Sequence, residues 1–255
     1  MTNTPLDLAA RDLADRRRAG RTGPRLDPAA RPGDVAAALA LQKRVAADYG
    51  DRVDGWKCSL PADDRTVVAP LFAQTLRRSS PCPLVVRGAM ASIEPEIAFV
   101  LAHDLPPRAT PYGDADVRAA IGATHLVLEL MGNRYDDPAA LTFPEVLADF
   151  ANNQGLYVGP RVEQALQHPL DRLSIVVSTP AETIMKLDGA HPDGHPLRPL
   201  VWLANFLPTQ GTHLRKGEIV TTGSYAGARD VPLDVPLSFA FGDLGTLAVE
   251  LTAAR

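Results

Sequence analysis

The pattern of apolar and polar positions divides the chain in two. Residues 1–52 read as a helical N-terminal segment. Thr4 has the chemistry of an N-cap, Pro5 suits the first helical position and Asp7 the first turn. Leu6, Ala9, Ala10, Leu13 and Ala14 then recur at helical spacing towards Gly20. A loop rich in Arg, Gly and Pro runs from Arg21 to Pro32. A second helix is predicted from about Asp34 to Tyr49, with Val35, Leu39, Gln42, Val45 and Ala46 on one stripe. Residues 53–255 instead show short apolar runs separated by turns, the pattern of many strands. Gly55–Leu60, Leu84–Val86, Ala91–Ala102, Thr124–Met131, Leu156–Gly159, Ser174–Val177 and Ile219–Ser224 are the strand candidates. Leu237–Phe241 and Thr246–Leu251 read as a closing hairpin. Helices are expected over Asp114–Ile121, capped by Asp114, over Thr142–Phe150, and over Pro199–Leu207. Val67–Leu76 is apolar and ambiguous, and a short helix over the site fits it. Asn152–Gly155 and Asp188–Pro196 read as loops.

Two acids interrupt the most apolar of these strands. Glu94 and Glu96 are two apart, so on a strand both point to one face. Ile97–Ala102 is apolar at every position, which places the strand deep in the fold. Like charges side by side in a partly buried place must protonate, meet cations or bind a metal. Glu129 is the one interruption of the second apolar strand. Three carboxylates in such settings suit a hard divalent cation, Mg²⁺ or Mn²⁺. The spacing is equally compatible with an exposed edge for Glu94 and Glu96 and an arginine partner for Glu129.

Composition narrows the classes. A formal net charge of −4 gives no footprint for nucleic acid, and the basic run Arg16–Arg18 is interleaved with Asp12 and Asp15. Two cysteines, Cys58 and Cys82, make no disulfide framework. No apolar leader follows Met1 and no run approaches membrane-spanning length, so the expectation is a soluble, cytoplasmic protein without a membrane partner. His191 and His195 are four apart, but Pro192 and Pro196 forbid the helix that a zinc-binding pair at that spacing needs.

Five segments, in order, resemble the fumarylacetoacetate hydrolase superfamily, and more closely its 2-oxopent-4-enoate (vinylpyruvate) hydratase and 4-oxalocrotonate decarboxylase branch. They are Gly55-Trp56-Lys57, the strand Glu94–Leu101, Leu128-Glu129 through Arg134, the helix region Gly194–Asn205, and Gly217–Ser224. The resemblance implies an α+β fold, a mixed β-roll of the fumarylacetoacetate hydrolase C-terminal-domain type with a helical N-terminal segment, and a metal held by Glu94, Glu96 and Glu129. It also implies a small 2-oxo acid substrate and a homo-oligomer, or a hetero-complex with a related hydratase or decarboxylase. A 2-oxo carboxylate chelates a divalent ion, which stabilises an enolate or dienolate. Lys57, near a cation, is expected to have a lowered pKa and to move protons. Thr222, Gly223, Ser224, His195 and Arg134 are the expected substrate contacts, and Asp63 or Asp64 a candidate second acid–base group.

The chain also departs from that family. Gly132-Asn133-Arg134 stands where Asp-Ser-Arg is common, Asp149-Phe150-Ala151-Asn152 replaces Asp-Asn-Ala-Ser, and Ser59 replaces a common Gly. These departures keep two alternatives open: an acylpyruvate C–C bond hydrolase, and a catalytically silent partner of an active relative. The hydrolases of the family often use a His–Glu pair in an N-terminal lid, and no His lies between Met1 and Gly88.

Overall fold

The computed structural model describes residues 4–63 and 65–254. Two helices open it, α1 (Pro5–Arg18) and α2 (Val35–Tyr49). Thr4 and Asp7 close a capping box at the start of α1, and Ala9, Ala10, Leu13 and Ala14 are buried as the spacing predicts. Asp34 caps α2, and Gly50 ends it in the left-handed conformation, φ 73°. The stripe of α2 is rotated from the expected one: Ala38, Leu41, Gln42 and Val45 are buried, while Val35, Leu39 and Ala46 lie at its margin. Gln42 is satisfied there, donating to the carbonyls of Val68 (3.1 Å) and Leu147 (2.7 Å).

The strands follow as β1 (Val53–Cys58), β2 (Val68–Phe72), β3 (Leu76–Arg77), β4 (Cys82–Leu84) and β5 (Met90–Leu101). Helix α3 (Asp114–Ala120) leads into β6 (Ile121–Met131), and α4 (Phe143–Ala148) into β7 (Asn153–Arg161). Then come β8 (Arg172–Ser178), β9 (Thr183–Ala190), α5 (Leu197–Phe206), β10 (Ile219–Thr221), β11 (Arg229–Pro232), β12 (Pro236–Phe241) and β13 (Thr246–Ala253). One mixed sheet has the order β2-β1-β10-β5-β6-β7-β3, with β11 also on β5; a second has the order β4-β13-β12-β8-β9. The result is the mixed β-roll, with helices gathered on it, that the resemblance implies.

Four sequence expectations are corrected. Val67–Leu76 is not a helix: β2 pairs antiparallel with β1, followed by a 3₁₀ turn at Ala73–Thr75. Pro70 is accommodated because β2 is the outermost strand of its sheet. The cap of α3 is Gly113, whose N–H donates to the Asp116 carboxylate at 3.0 Å, and Asp114 is already inside the helix. Strand β7 begins at Asn153 instead of after Gly155, and β9 runs to Ala190, which shortens the loop expected over Asp188–Pro196.

Alternation along β5 and β6 sets both the core and the site. Ile93, Ile97, Phe99, Leu126, Leu128 and Leu130 point into the main core, where they meet Phe239, Phe241, Leu247 and Leu251 of the second sheet. The opposite face carries Glu94, Glu96 and Glu129. Farther along that face Ala98 and Val127 pack with Leu71, Leu156, Val158 and Ile219, and a separate cluster joins α1, α2 and α4 with Phe72, Tyr135 and Phe150. The N-terminal segment is fastened there by polar contacts. Arg16 donates to the Pro24 and Arg134 carbonyls (2.8 and 3.0 Å), and Arg25 grips Glu145 of α4 with two hydrogen bonds of 2.8 and 2.7 Å.

The Arg25–Glu145 contact makes a pH prediction. Burial alone would raise the Glu145 carboxyl, but hydrogen bonds from Arg25 and Thr142 lower it to about 2. A carboxyl depressed in the folded state stabilises above its unfolded value and loses that contribution as pH falls through the folded value. The melting temperature should therefore fall between about pH 4.5 and about pH 2. Arg25→Gln should flatten that part of the profile; an unchanged profile in Arg25→Gln would show that this pair contributes nothing.

Candidate metal centre

Strand pairing brings the three acids together. Glu94 on β5 stands directly opposite Glu129 on β6, with Glu96 two residues along on the same face. One carboxylate oxygen from each lies within 4.8 Å of the other two. Glu96 and Glu129 are buried and Glu94 partly so. Burial first, and then the neighbouring carboxylates, push Glu94 above the usual carboxylate range and Glu96 well above it. Glu129 Oε1 accepts from Lys57 Nζ at 2.5 Å and from Asn153 Nδ2 at 2.9 Å, while its Oε2 is buried without a partner. Three hard oxygen donors that repel one another, one of them unsatisfied, fit a divalent cation of the Mg²⁺ or Mn²⁺ type.

The sheet opens at this point because of Pro95. Strand β10 pairs with Ala98–Val100 of β5, and β11 with Met90–Ile93, so both occupy the same edge and leave a gap between them. The Pro95 carbonyl faces that gap, where it accepts from Tyr225 N (3.4 Å) and Ser224 Oγ (3.2 Å). Proline has no N–H to leave unpaired there. Through the same gap the Gly223 N–H reaches Glu96 Oε2 at 3.2 Å. Gly223 has φ 119°, and a Cβ there would meet Pro192 Cγ at 3.2 Å, so both the conformation and the close approach favour glycine.

Lys57 comes from β1, held in register by Thr221 of β10. Besides Glu129 it donates to the Ala151 carbonyl at 3.1 Å. Burial pulls the ammonium down, and Glu129, Glu94 and Glu96 together outweigh burial and raise it above the ordinary lysine value; the lowering expected from a neighbouring cation is a separate effect that a bound metal would add. The Ala151 carbonyl is aimed by three successive non-glycine residues in the left-handed region, Phe150, Ala151 and Asn152, with φ of 58°, 50° and 62°. Each such residue costs about 1–2 kcal/mol. Ala151→Gly should therefore raise the urea midpoint, by about 1 kcal/mol in stability; a lower midpoint would mean that the left-handed turn carries no strain.

The acids and Lys57 open into a cavity of about 270 Å³, otherwise walled largely by apolar side chains such as Val67, Met131, Phe143 and Val146. Gly223 lines it, with Thr221 in place of Thr222, since alternation turns Thr222 to the other side. Ser224 is engaged with the Pro95 carbonyl. Arg134 does not line this cavity. Its guanidinium pairs with Asp149 at 2.7 Å and donates to the Asp149 and Asn153 carbonyls, so it supports the turn from behind. His195 does not line the cavity either; its Nδ1 accepts from Leu197 N at 3.2 Å. His191 is the nearer histidine. It is buried, its ring meets Tyr225 edge-on, and Nε2 lies towards Gly223 without a partner. Burial first, then His195, lowers its pKa to about 4. Asp63 is on an exposed turn, and Asp64 lies outside the described residues.

No protein-family model matches the chain. Over 207 residues it is 30% identical to a 2-keto-4-pentenoate hydratase of Paraburkholderia phymatum, spanning 75% of this chain and 76% of the relative. The chain belongs to the 2-keto-4-pentenoate hydratase family. A hydratase of the same name from Burkholderia vietnamiensis matches over 234 residues at 28% identity, covering 87% of each chain. Among solved structures, the 4-oxalocrotonate decarboxylase of Pseudomonas putida G7, complexed with magnesium and adipate, has a TM-score of 0.79. That match covers 98% of both chains at 20% identity. A yeast fumarylacetoacetate hydrolase family protein shares the fold at a TM-score of 0.56, over 78% of this chain and 93% of its own, at 13% identity. The hydratase family thus carries the fumarylacetoacetate hydrolase fold, and this chain with it. No helix among the described residues is long and apolar enough to cross a membrane.

Proposed function

We propose that the chain is a divalent-metal-dependent lyase that hydrates or decarboxylates a small unsaturated 2-oxo acid, of the 2-hydroxypenta-2,4-dienoate or 4-oxalocrotonate kind. The observation that carries this reading is the convergence of Glu94, Glu96 and Glu129 beside a buried lysine. In it, the three glutamates hold Mg²⁺ or Mn²⁺, which when bound supplies Lewis acidity towards the carboxylate and keto oxygens of a 2-oxo acid. Lys57 Nζ, within the cavity, is placed to deliver a proton to the unsaturated chain, or as the neutral amine to receive one from it. Asn153 and the Ala151 carbonyl hold Glu129 and Lys57 in position. Val67, Phe143 and Val146 form an apolar wall against which the unsaturated chain can lie. Residues 1–52 act in this reading as a helical cover on a catalytic β-roll of residues 53–255. The protein is cytoplasmic and works as a homo-oligomer or with a related hydratase or decarboxylase.

The test is an ultraviolet assay of 2-hydroxypenta-2,4-dienoate and of 4-oxalocrotonate with added Mg²⁺ or Mn²⁺. Metal-dependent loss of the conjugated absorbance, abolished in Glu94→Ala, is expected, and product identification separates hydration from decarboxylation. Absence of Mn²⁺ binding by calorimetry would sink the reading. Mn²⁺ binding with turnover of neither acid would favour a silent partner subunit.

A further inference from the structure

Phe150 is one of the positions at which the chain departs from its family pattern. Ala151 and Asn152 line the acid cavity, but Phe150 does not. Its ring is fully buried in the cluster that joins α1, α2 and α4. There it meets the Phe72 ring edge-on, with centroids 5.2 Å apart. Arg17 of α1 lies over it, with Cζ 4.7 Å from the Phe150 centroid, 5.3 Å from that of Phe72 and 5.5 Å from that of Tyr49.

The same guanidinium reaches the far end of the turn, where Nη1 donates to the Asn153 carbonyl at 2.9 Å. Arg17 thus holds the ring before Ala151 and the carbonyl after Asn152. Between these two contacts lie the three left-handed residues. Backbone strain of that kind persists only where the surroundings over-determine it. The turn carries two groups of the acid site. The Ala151 carbonyl accepts from Lys57 at 3.1 Å, and the Asn153 side chain donates to Glu129 at 2.9 Å. Arg134 supports the turn from within the β-roll, through the Asp149 and Asn153 carbonyls. From the helical segment, Arg17 is the one side chain hydrogen-bonded to it among the described residues.

For stability alone, arginine is a poor choice at this position. Its Nε and Nη2 are buried without a partner among the described residues, which works against folding. Burial first, and then Arg134, lower its pKa to about 9, so the charge it keeps at pH 7 is held at a disadvantage. Methionine would fill the space against the three rings without either penalty. The Asn153 carbonyl would keep a donor in Arg134 Nη2, at 3.0 Å. What a planar cation adds is the combination of stacking on Phe150 and donating in its own plane to Asn153.

We propose that Arg17 is a positioning residue of the acid site: from α1 it clamps the left-handed turn, and so sets Glu129 through Asn153 and Lys57 through Ala151. The proposal rests on the metal-dependent reading of that site. It makes the helical segment a working part of the catalytic unit, because α1 supplies the clamp.

The test compares the unaltered chain with Arg17→Met, Asn153→Ala and the double variant. Mn²⁺ affinity is read by calorimetry, and stability by urea unfolding of metal-free protein. Arg17→Met should have a urea midpoint no lower than that of the unaltered chain. It should nonetheless bind Mn²⁺ about 10-fold more weakly, the lower end of the loss when a partner supporting a metal ligand is removed. On whichever of the two acids the unaltered chain turns over, kcat should fall about 10- to 100-fold with KM changed less, as a small displacement of Lys57 would produce. In the Asn153→Ala background, Arg17→Met should cause no further loss of Mn²⁺ affinity, since its effect on Glu129 runs through that side chain. An unchanged Mn²⁺ affinity or kcat in Arg17→Met, a lower urea midpoint, or losses of affinity that multiply in the double variant would overturn the proposal. Failure of the unaltered chain to bind Mn²⁺, or to turn over either acid, would instead mark failure of the proposed function, and the proposal would fall with it.

Discussion

Glu129→Gln is expected to remove both the metal and a large part of the stability. Glu129 has no exposed surface, and it is the only one of the three acids hydrogen-bonded to both Lys57 and Asn153. Glutamine keeps the shape but takes away the charge that compensates a buried ammonium. Breaking one side of a buried ion pair costs about 3–5 kcal/mol where the remaining charge is left alone; Glu94 and Glu96 still face Lys57, so the loss lies at the lower end of that range. A cation would lose one of its three anionic oxygens at the same time. Mn²⁺ affinity by calorimetry should fall by at least about 100-fold, more than the usual loss when a mere supporting partner is removed. Unfolding in urea should show the loss of stability in metal-free protein. Tight Mn²⁺ binding by Glu129→Gln would remove the third glutamate from the proposed centre.

Lys57→Met should separate metal binding from turnover. Methionine fills much of the volume of the buried stem and removes the ammonium from among three carboxylates. With that competing cation gone, Mn²⁺ should bind at least as tightly as before. Turnover should nonetheless fall about 10²- to 10⁴-fold, the range for loss of a positioned proton donor or acceptor. In metal-free protein the carboxylates would repel one another without relief, so added Mn²⁺ should raise the melting temperature of Lys57→Met more than that of the unaltered chain. Activity above a tenth of the original would assign the proton transfer elsewhere.

The acids and the lysine were legible in the sequence because they are charged breaks in apolar strands, Glu94 and Glu96 in one and Glu129 alone in the next, and strand periodicity gives the face on which each stands. That Glu94 and Glu96 share one face follows from alternation, while their burial, full for Glu96 and partial for Glu94, depends on the elements packed over that face. Asn153 and the Ala151 carbonyl were not legible. Their roles depend on three non-glycine residues in a left-handed turn, a backbone state that Phe150, Ala151 and Asn152 give no reason to expect. The same turn explains why β7 starts earlier than its apolar run. His195 was favoured over His191 by its place in the motif, but the Asp193 carboxylate, clipped to the Leu60 N–H at 2.9 Å, and the Tyr225 ring settle which histidine is drawn inward. Arg134 was expected at the substrate because its position follows Glu129; a carboxylate from the next element, Asp149, claims it instead. The ambiguity of Val67–Leu76 was real, since strand and helix differ there only in the availability of β1 as a partner.

The parallel pairing of β1 with β10 carries a consequence for how the molecule is made. Gly55, Trp56 and Lys57 find their neighbours at Ile219, Val220 and Thr221, so this seam closes one of the longest loops in the chain. The pairing of β5 with β6 spans only a loop and α3. Loop-closure entropy therefore orders the two events: the hairpin with the three glutamates forms early, and the seam that fixes Lys57 beside them forms late. During synthesis the three acids leave the ribosome well before Ile219 does. A nascent chain thus brings the three carboxylates together while its lysine strand still lacks its partner, and the placing of Lys57 beside them is expected as one of the last events of folding.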